Sequence, residues 1–448
     1  MRLETRKLLD KAFSGLGLIA IGVMAMALLL ILTPIVIRGS KAFVFKGTIE
    51  HRRVMLEQFD RGNAEAFTGD SAQATAARAP VYEMMEEFEA EMKAMDRSRR
   101  SDYRSAYREV EKSIKVLLGP APGERTPVLL RQQYGQTRWD RTLVKLHEVL
   151  YSEEWDYSNT DAMGVLIEKP RVEQFAGTRL EPLFHYMEDN LTEMMRPKTT
   201  FYWQFITDKS KDSHIFGGIW PEVLGTIYLT LGAMIFAIPM GVIAAIYLCE
   251  YAKEGRVISF LRICISTLAG VPSIVFGLFG LAFFLNTIQV SDSKSVLAGS
   301  LTLSLLILPT IIRSSEEAIL AVPRAYKEAA LGLGAGRWHT VLTVILPAAL
   351  PGILTGIVIS MGRAAGETAP IIFTAAVSVG APLKIWETLN QPTPALPWNI
   401  YNLCTEHEAV DEIRHVQYGM VFTLVANVLL LNLFAILMRA RISKKLRG

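Results

Sequence analysis

The chain has 448 residues, of which half are apolar, with a mean hydropathy of +0.26 and a formal net charge of +3. This composition is too apolar for an ordinary soluble protein and too polar for a chain made only of membrane spans. The three cysteines are scattered, with no CxxC spacing and no histidine cluster nearby, which argues against a disulfide framework or a metal site. We therefore expect several transmembrane helices combined with one soluble part.

Six apolar segments are candidates for membrane spans, since a helix needs about 20 apolar residues to cross a bilayer. They lie at residues 13–37, 222–248, 260–285, 296–312, 345–379 and 420–438. The first follows a basic start, so a cleaved signal peptide is the alternative to a retained anchor. Its apolar run exceeds the roughly 7–15 residues of a signal-peptide core, and no clear cleavage site follows, which favours the anchor.

Residues 38–219 form a segment of different character, dense in charges of both signs and without a run long enough to span. Residues 80–118 have helical periodicity and stop at Gly119-Pro120, a typical helix end. The stripe along this segment is more typical of a packing face than of a ligand site; it consists of Tyr82, Met85, Phe88, Met92 and Met95. Arginines at positions 97–104 alternate with acidic residues, which indicates a solvated face rather than a nucleic-acid site.

The predicted organisation is an N-terminus with the first span (1–37), a mainly helical soluble domain (38–219), and a core with five further spans (220–448). Lysine and arginine in short loops set the orientation of such a protein. The N-terminus, the loop near residues 253–262, the loop 313–343 and the C-terminus are basic, whereas the alternating loops 286–295 and 380–417 are poor in cations. We therefore expect both termini and the loop 313–343 to be cytoplasmic, and the 38–219 domain to be extracytoplasmic.

Arg363 and Glu367 lie four residues apart inside the most unusual of the apolar segments. An arginine at the centre of a membrane helix costs about 2.5–3.5 kcal/mol on insertion scales, so it marks a candidate functional site. The i,i+4 spacing allows the two side chains to pair, and the arginine fork matches the oxygens of an oxyanion. The alternative is a structural ion pair between helices. Counting from residue 351 places Arg363 about 18 Å along the helix, near mid-membrane, whereas counting from 345 places it nearer the outer surface.

A second motif lies in and after the loop 313–343. Its elements are Glu328-Ala329-Ala330, Gly334, and Leu346-Pro347. Residues 326–331 should be helical and the following glycines should end that helix. A short helix between two spans can dock on a cytoplasmic partner and transmit rigid-body motion; the alternative is a simple structural loop.

This spacing is similar to the coupling-loop motif of ABC importer permeases, which usually have isoleucine where this chain has Val344. Together with the run Arg363-Ala-Ala-Gly-Glu367-Thr-Ala-Pro370, the chain resembles the A-type membrane subunit of the phosphate-specific (Pst) importer. The resemblance covers residues 219–448 and the first span, and it leaves 38–218 uncovered. It implies an all-α membrane protein with six transmembrane helices and a MetI-like permease core.

The resemblance also implies the functional residues and the partners. Arg363, Glu367 and Thr368 would line the substrate pathway, and Glu328, Ala329, Ala330, Gly334, Leu346 and Pro347 would form the ATPase-coupling loop. The partners would be a homologous second permease, two cytoplasmic ATPase subunits and an extracytoplasmic phosphate-binding protein, assembled in the lipid of the bacterial inner membrane. No GxxxxGK[ST] loop is present, so we expect no enzymatic activity, with ATP bound by partner subunits and no cofactor or nucleic acid on this chain.

Three other interpretations remain open at this stage. An ABC permease for another oxyanion, such as sulfate or molybdate, is the nearest. A membrane-anchored receptor is a different class, against which the coupling-loop motif argues. An enzyme is the least favoured, because the acidic cluster at residues 83–91 has no apolar cleft that we can identify and is typical of a solvated helix face. We expect the 38–219 domain to help dock the binding protein or to cover the outer mouth.

Overall fold

The structure is a computed structural model and describes residues 3–156 and 164–446. The helices are α1 (Leu3–Ser40), α2 (Ile49–Phe59), α3 (Ala64–Ala94), α4 (Arg97–Leu118), α5 (Leu130–Gln133), α6 (Trp139–Leu150), α7 (Arg171–Gln174), α8 (Glu181–Met195), α9 (Trp220–Ile246), α10 (Arg256–Ala269), α11 (Ser273–Gly280), α12 (Val296–Leu320), α13 (Arg324–Gly332), α14 (Arg337–Thr340), α15 (Leu346–Gly366), α16 (Ala369–Thr374), α17 (Leu396–Thr405) and α18 (Arg414–Leu446). Wide π-helical turns occupy Tyr247–Tyr251, Leu281–Thr287 and Val341–Ile345, and 3-10 turns occupy Trp203–Phe205 and Ile385–Leu389.

The strands are β1 (Val44–Gly47), β2 (Tyr151–Asp156), β3 (Val165–Pro170), β4 (Lys198–Phe201), β5 (Ser210–Lys211) and β6 (Phe216–Gly217). They form three antiparallel two-stranded ribbons, β1 with β4, β2 with β3 and β5 with β6. The described chain is therefore mostly helical, as predicted, and these short ribbons are its departure from a purely α-helical fold.

The chain divides into two compact units. The span unit combines Met1–Ala42 with Trp203–Gly448, and the insert unit is Phe43–Tyr202. In the insert unit, β1 and β4 pair with Val44 opposite Phe201, so the two ends of the unit lie side by side. Such adjacent ends are common where one domain is inserted into another.

The insert unit has its own hydrophobic core between α3, α4, α6 and α8. Phe88, Val110, Ile114 and Met187 are among its fully buried side chains. The predicted stripe lies here: Met85, Phe88 and Met92 are buried, and Tyr82 and Met95 pack against them half-buried. The stripe is thus a packing face. The predicted helical segment 80–118 is two helices rather than one, because the chain leaves the helix at Met95 and restarts after Asp96.

The span unit holds the apolar helices. Within residues 3–156 and 164–446, five helices are long and apolar enough to cross a membrane: Ala12–Ser40, Trp220–Tyr251, Val296–Leu320, Arg337–Gly366 and Arg414–Ile442. The total reaches six when Arg256–Ala269 and Ser273–Thr287, which are bent by 102° at their junction, count as one span. A multi-pass protein is therefore supported, and the count of six stays a prediction.

Two of the predicted spans are interrupted. The segment 260–285 breaks between Ala269 and Ser273, where Pro272 lacks an N–H group and disfavours helical geometry in the residue before it. The segment 345–379 ends its long helix at Gly366, and a six-residue helix, α16, follows. The sequence predicted a single span at 260–285, because apolar composition does not report a change of direction. At 345–379 the length of the stretch and the residues Gly366 and Pro370 indicated a break in the helix, and the structure has one there.

Small residues bring the central helices of the span unit close together. A Cβ at Gly352 would lie 2.7 Å from the Cβ of Ala318, and a Cβ at Gly356 would overlap Ser314. On α9, a Cβ at Gly241 would lie 2.6 Å from Ile311. Close approach of backbones through small residues is the usual way in which helices pack inside a membrane. α15 and α12 are therefore packed with no room for a methyl group at these positions.

A buried polar cluster fixes the start of α9. The Glu222 carboxylate is fully buried, and its Oε1 lies 2.8 Å from His214 Nε2. Asn399 on α17 donates from Nδ2 to the same oxygen at 3.1 Å and to the Ser378 carbonyl at 3.0 Å. A buried carboxylate needs such partners to offset its desolvation. The cluster joins the β5–β6 hairpin, α9 and α17.

Candidate functional site

Arg363 and Glu367 form the ion pair that their spacing predicts. Arg363 Nε donates to Glu367 Oε1 at 3.2 Å. The neighbouring Ala364 and Ala365 are buried, whereas the Arg363 side chain is 42% exposed and that of Glu367 is 19% exposed. Arg363 therefore points away from the core of its own unit, onto a surface that another subunit or a ligand can reach.

The pair straddles the end of a helix. Arg363 lies in the last turn of α15, which ends at Gly366, and Glu367 follows in extended conformation at φ −76° and ψ 129°. Thr368, half-buried, comes directly before α16. The i,i+4 spacing predicts both side chains on one helical face, whereas in the structure the pair links the helix to the segment beyond it, because α15 ends at Gly366.

The segment beyond the break is held by the N-terminal end of α12. Lys294 donates from Nζ to the Ile372 carbonyl at 2.7 Å, and the Ser295 N–H donates to the Thr374 carbonyl at 2.9 Å. These bonds satisfy carbonyls at the end of α16, which have no partner within the helix. Neither residue was singled out from the sequence, because each lies more than 70 positions from its partner.

The two interrupted spans meet close to the pair. A Cβ at Gly277 of α11 would lie 2.9 Å from the Ala369 carbonyl and 3.1 Å from the Pro370 Cα. Non-helical backbone at membrane depth occurs where it is buried in protein or lines a polar cavity. The break after Gly366 therefore lies beside a second broken helix, an arrangement in which side chains and backbone groups can meet a charged ligand.

Of the three guanidinium nitrogens of Arg363, Nε donates a hydrogen bond to Glu367, and the two Nη atoms donate none to the residues that the structure describes. Among the residues that the structure describes, the Nε bond to Glu367 is the one side-chain hydrogen bond of Arg363. Its terminal Nη atoms can therefore donate to the oxygens of an oxyanion, for which the planar fork of arginine is well suited. The residues here offer charge and hydrogen bonds for binding an anion.

The coupling-loop residues lie in α13 and at the start of α15, which is the end of α15 opposite to Arg363. Glu328, Ala329 and Ala330 are in α13, and Gly334 follows at φ +84°, a left-handed geometry that favours glycine. Leu346 and Pro347 begin α15. The predicted helix at 326–331 and its glycine end are thus present in the structure.

Helix α13 lies on the surface of its unit. None of its residues is buried, and Leu333 and Trp338 just after it are 90% and 63% exposed. One ion pair, from Lys327 to Glu250 in the π-turn after α9, attaches it to the neighbouring helix. The sequence did not reveal this contact, which joins positions 77 apart. Large exposed apolar side chains on a short loop are typical of a surface that binds another protein.

Comparison with known proteins identifies the type of molecule. Residues 237–448 match the family described as the binding-protein-dependent transport system inner membrane component. A probable ABC transporter permease of Bacillus subtilis, YqgI, is 36% identical over 256 residues, covering 54% of this chain and 85% of that protein. This chain belongs to the ABC transporter permease family.

Other relatives carry more specific names. The phosphate transport system permease protein PstA 1 of Mycobacterium tuberculosis is 34% identical over 50% of this chain and 71% of that protein. PstA of Yersinia pestis is 35% identical over 49% of this chain and 71% of that protein. The family match begins at residue 237, so the insert unit lies outside it.

Among solved structures, a bacterial alginate ABC transporter bound to its pentasaccharide-loaded periplasmic protein matches with a TM-score of 0.41 and 18% identity, over 55% of this chain and 84% of that chain. The MetNI methionine ABC transporter matches with a TM-score of 0.38 and 17% identity, over 54% of this chain and 96% of that chain. These likenesses are distant, and the membership of this permease in the family rests on the sequence relatives.

Proposed function

We propose that this permease is the A-type membrane subunit of a phosphate-specific (Pst-type) importer, located in the bacterial inner membrane with both termini cytoplasmic. The observation that carries the proposal is the Arg363–Glu367 pair, with its half-exposed guanidinium at a helix break. The PstA names of relatives at 34–35% identity support it. YqgI, whose name gives no substrate, leaves the choice of oxyanion to the chemistry of the site.

Arg363 would bind phosphate by exchanging partners. In the absence of substrate, Glu367 offsets the arginine charge at 3.2 Å, which lowers the cost of a cation in an apolar surrounding. A passing phosphate offers two oxygens to the free guanidinium nitrogens, a bidentate geometry that a single carboxylate oxygen does not match. The anion would therefore compete with Glu367 for the arginine.

Glu367 would then select among oxyanions. Phosphate carries at least one proton at neutral pH, so a carboxylate can accept a hydrogen bond from it. Sulfate carries no proton under these conditions and would face like-charge repulsion from Glu367 at a distance where such repulsion is costly. Thr368, next in the chain, would contribute a hydroxyl group to the same pathway.

At the other end of α15, the exposed surface around α13 would receive the ATPase. Glu328 would contact the partner, with Ala329, Ala330 and Gly334 shaping the loop and Leu346-Pro347 joining it to the helix. The complex would contain a homologous second permease, two cytoplasmic ATPase subunits and a phosphate-binding protein outside the membrane. ATP hydrolysis belongs to the ATPase subunits, and we propose that this chain binds no cofactor of its own.

The insert unit would be extracytoplasmic, consistent with its position after the first predicted span. We propose that it docks the binding protein or covers the outer mouth of the pathway. Deletion of the insert unit, residues 43–202, should then lower uptake at low external phosphate. Unaltered uptake by a correctly assembled deletion variant would count against this role.

The test of the main proposal is ATP-driven phosphate uptake by vesicles containing the whole complex. Arg363→Gln and Glu367→Gln should each lower uptake at least about tenfold, the cost expected when a charged hydrogen bond to the substrate is lost. Complex assembly should be unaffected. Uptake at the level of the unmodified complex in both variants would refute the role of the pair.

A charge swap separates a substrate contact from a structural ion pair. The double variant Arg363→Glu/Glu367→Arg keeps both charges and their spacing. If the pair serves only to join the helix to the segment after it, the swap should restore uptake lost in the single variants. If it contacts substrate, uptake stays lost although the complex assembles. Inhibition of phosphate uptake by sulfate at equal concentration would favour the alternative of a general oxyanion permease.

A further inference from the structure

The insert unit contains a cluster of three cations around one carboxylate. Asp70 on α3 lies 3.2 Å from Arg196 Nε, 2.6 Å from Lys198 Nζ and 3.6 Å from Arg52 Nη2. The hydrogen bond from Lys198 lowers the pKa of Asp70 below its ordinary value, so the carboxylate is ionised at neutral pH. The cluster therefore carries a net charge of +2.

Cations also outnumber carboxylates in the neighbouring ion pairs. Glu50 on α2 pairs with Arg53 at 3.1 Å and with Arg78 at 2.8 Å. Across these two connected groups, five cations face two carboxylates. His51, between them in sequence, stays neutral, because burial and then the charges of Arg138 and Arg52 lower its pKa to about 4. The local field at this end of α2 is thus strongly positive.

Arg52 has donors that the protein leaves unused. Its Nε and Nη1 atoms are buried and have no hydrogen-bond partner among the described residues, while Nη2 donates to the Arg196 carbonyl at 3.1 Å. A buried, unsatisfied guanidinium N–H is costly, and a purely structural ion cluster would be expected to supply it with an acceptor. Around Asp70, three cationic side chains share one carboxylate, so donors outnumber acceptors there.

The backbone holds these cations in fixed positions. Arg196 ends α8 in the left-handed region at φ +44°, and its N–H donates to the Thr192 carbonyl. Pro197 follows and restricts the chain, and Lys198 opposes Gly47 in the β1–β4 ribbon. The Arg196 and Lys198 side chains are 32% and 58% exposed, so they form the open side of the cluster.

The geometry points to a binding site for a small oxyanion of the phosphate or sulfate class, formed by Arg52, Arg196 and Lys198 with Asp70 holding the cations in place. An oxyanion brings only acceptors and negative charge, which are what the cluster lacks. Arg and Lys together are the side chains that proteins use for such groups. The site lies in the insert unit and is separate from the Arg363 site in the span unit. A free anion and the phosphate of a lipid headgroup share this chemistry.

The test measures equilibrium binding of radiolabelled inorganic phosphate to the full chain in maltoside micelles, which contain no phosphate group. Arg363→Gln is used as the background, so that the span unit does not contribute. We expect saturable binding that Lys198→Gln, and separately Arg196→Asn, weaken about tenfold or more. Asparagine tolerates the left-handed backbone at position 196.

Arg179→Gln is the matched control. It removes one exposed cation paired with Glu87 at the opposite end of α8, about 22 Å away along the helix of 15 residues. It should leave phosphate binding unchanged. Chloride at matched ionic strength should not compete, whereas simple screening would make all anions equivalent. Competition by dimethyl phosphate, a diester like a lipid headgroup, more strongly than by inorganic phosphate would assign the site to lipid.

Binding that changes less than twofold in both Lys198→Gln and Arg196→Asn overturns the inference, and so does binding without saturation. Lys198→Gln alters an exposed side chain at the ribbon, so a folded protein is expected for at least this variant, as size-exclusion chromatography would verify. Phosphate binding that is present in the unmodified chain but absent in Arg363→Gln would instead support the proposed function and refute this site.

Discussion

His51 should make the insert unit lose stability in mild acid. It lies in the first turn of α2, is 9% exposed, and packs edge-on against Phe45 and Tyr202 with ring centroids 5.1 and 6.1 Å apart. Burial, followed by the charges of Arg138 and Arg52, lowers its pKa from 6.5 to about 4. The folded unit therefore holds His51 neutral where an unfolded chain would already be protonated.

The direction and the magnitude of this loss of stability follow from proton linkage. Because the unfolded state binds more protons between these two pKa values, stability is complete above about pH 6.5 and falls as the pH drops toward 4. The full difference of 2.5 pKa units amounts to about 3 kcal/mol, and about 1.4 kcal/mol of it is lost by pH 5.5. Asp70, whose pKa is lowered from 3.8, loses its stabilising ion pairs only at lower pH, so the range from 7 to 5 isolates His51.

Hydrogen exchange measured by mass spectrometry on the full chain gives the opening free energy of the α2–α8 peptides at each pH. His51→Gln, which does not titrate, should remove the loss between pH 7 and 5 whatever its effect on overall stability. His185→Gln, at an exposed histidine of α8, is the control and should preserve it. An unchanged pH slope in His51→Gln, or a flat profile in the unmodified chain, would refute the assignment.

Three further changes probe the span unit. Gly356→Ala should destabilise the α12–α15 contact by about 1–3 kcal/mol, which would lower the thermal midpoint of unfolding in micelles. Gly22→Ala on α1, which has open space around it, is the control and should leave the midpoint unchanged. Equal midpoints in the two variants would contradict the close packing at Gly356. Lys327→Glu should lower uptake per ATP hydrolysed and Lys327→Glu/Glu250→Lys should recover it, and failure to recover would show that the pair is not what attaches α13. Glu328→Lys should uncouple ATP hydrolysis from uptake, so that less phosphate is taken up per ATP hydrolysed. An unchanged ratio in vesicles would refute the docking role of Glu328.

The sequence predicted contacts within one helical turn better than contacts between distant segments. The Arg363–Glu367 pair was predicted because its geometry depends on four residues of local chain, and the structure contains it. The contacts of Lys327 with Glu250 and of Lys294 with Ile372 join positions 77 and 78 apart, and no local pattern encodes them. They depend on how the helices pack in three dimensions.

Interruptions of helices were the second limit. The 102° bend near Pro272 lies inside continuously apolar sequence, where composition indicates burial in lipid or protein but not direction. The end of α15 at Gly366 lies between the charged residues Arg363 and Glu367, and there the glycine and Pro370 did indicate a break. Proline marks a probable boundary and not a certain one: Pro239, Pro309 and Pro351 lie inside unbroken helices of the same unit. Neighbouring helices decide which proline ends a helix.

The break after Gly366 gives the proposed site a mechanical meaning. Arg363 belongs to α15, and it lies about 26 Å from Leu346, where the loop proposed to meet the ATPase joins the helix. Because Gly352 and Gly356 pack α15 on α12 without spare volume, a displacement at Leu346 should move the helix as a rigid body, sliding or tilting it as one piece. Glu367 does not belong to that helix: it lies in the segment that leads to α16, whose end is bonded to Lys294 and Ser295. α12 holds both α15 and this segment, so only a tilt of α15 about its contacts at Gly352 and Gly356 would move Arg363, about two to three turns further along the helix, relative to Glu367. Such a tilt would change the competition between carboxylate and phosphate for the guanidinium. Under the proposed function, the ATPase would control anion affinity by breaking and re-forming the Arg363–Glu367 ion pair across the helix break after Gly366.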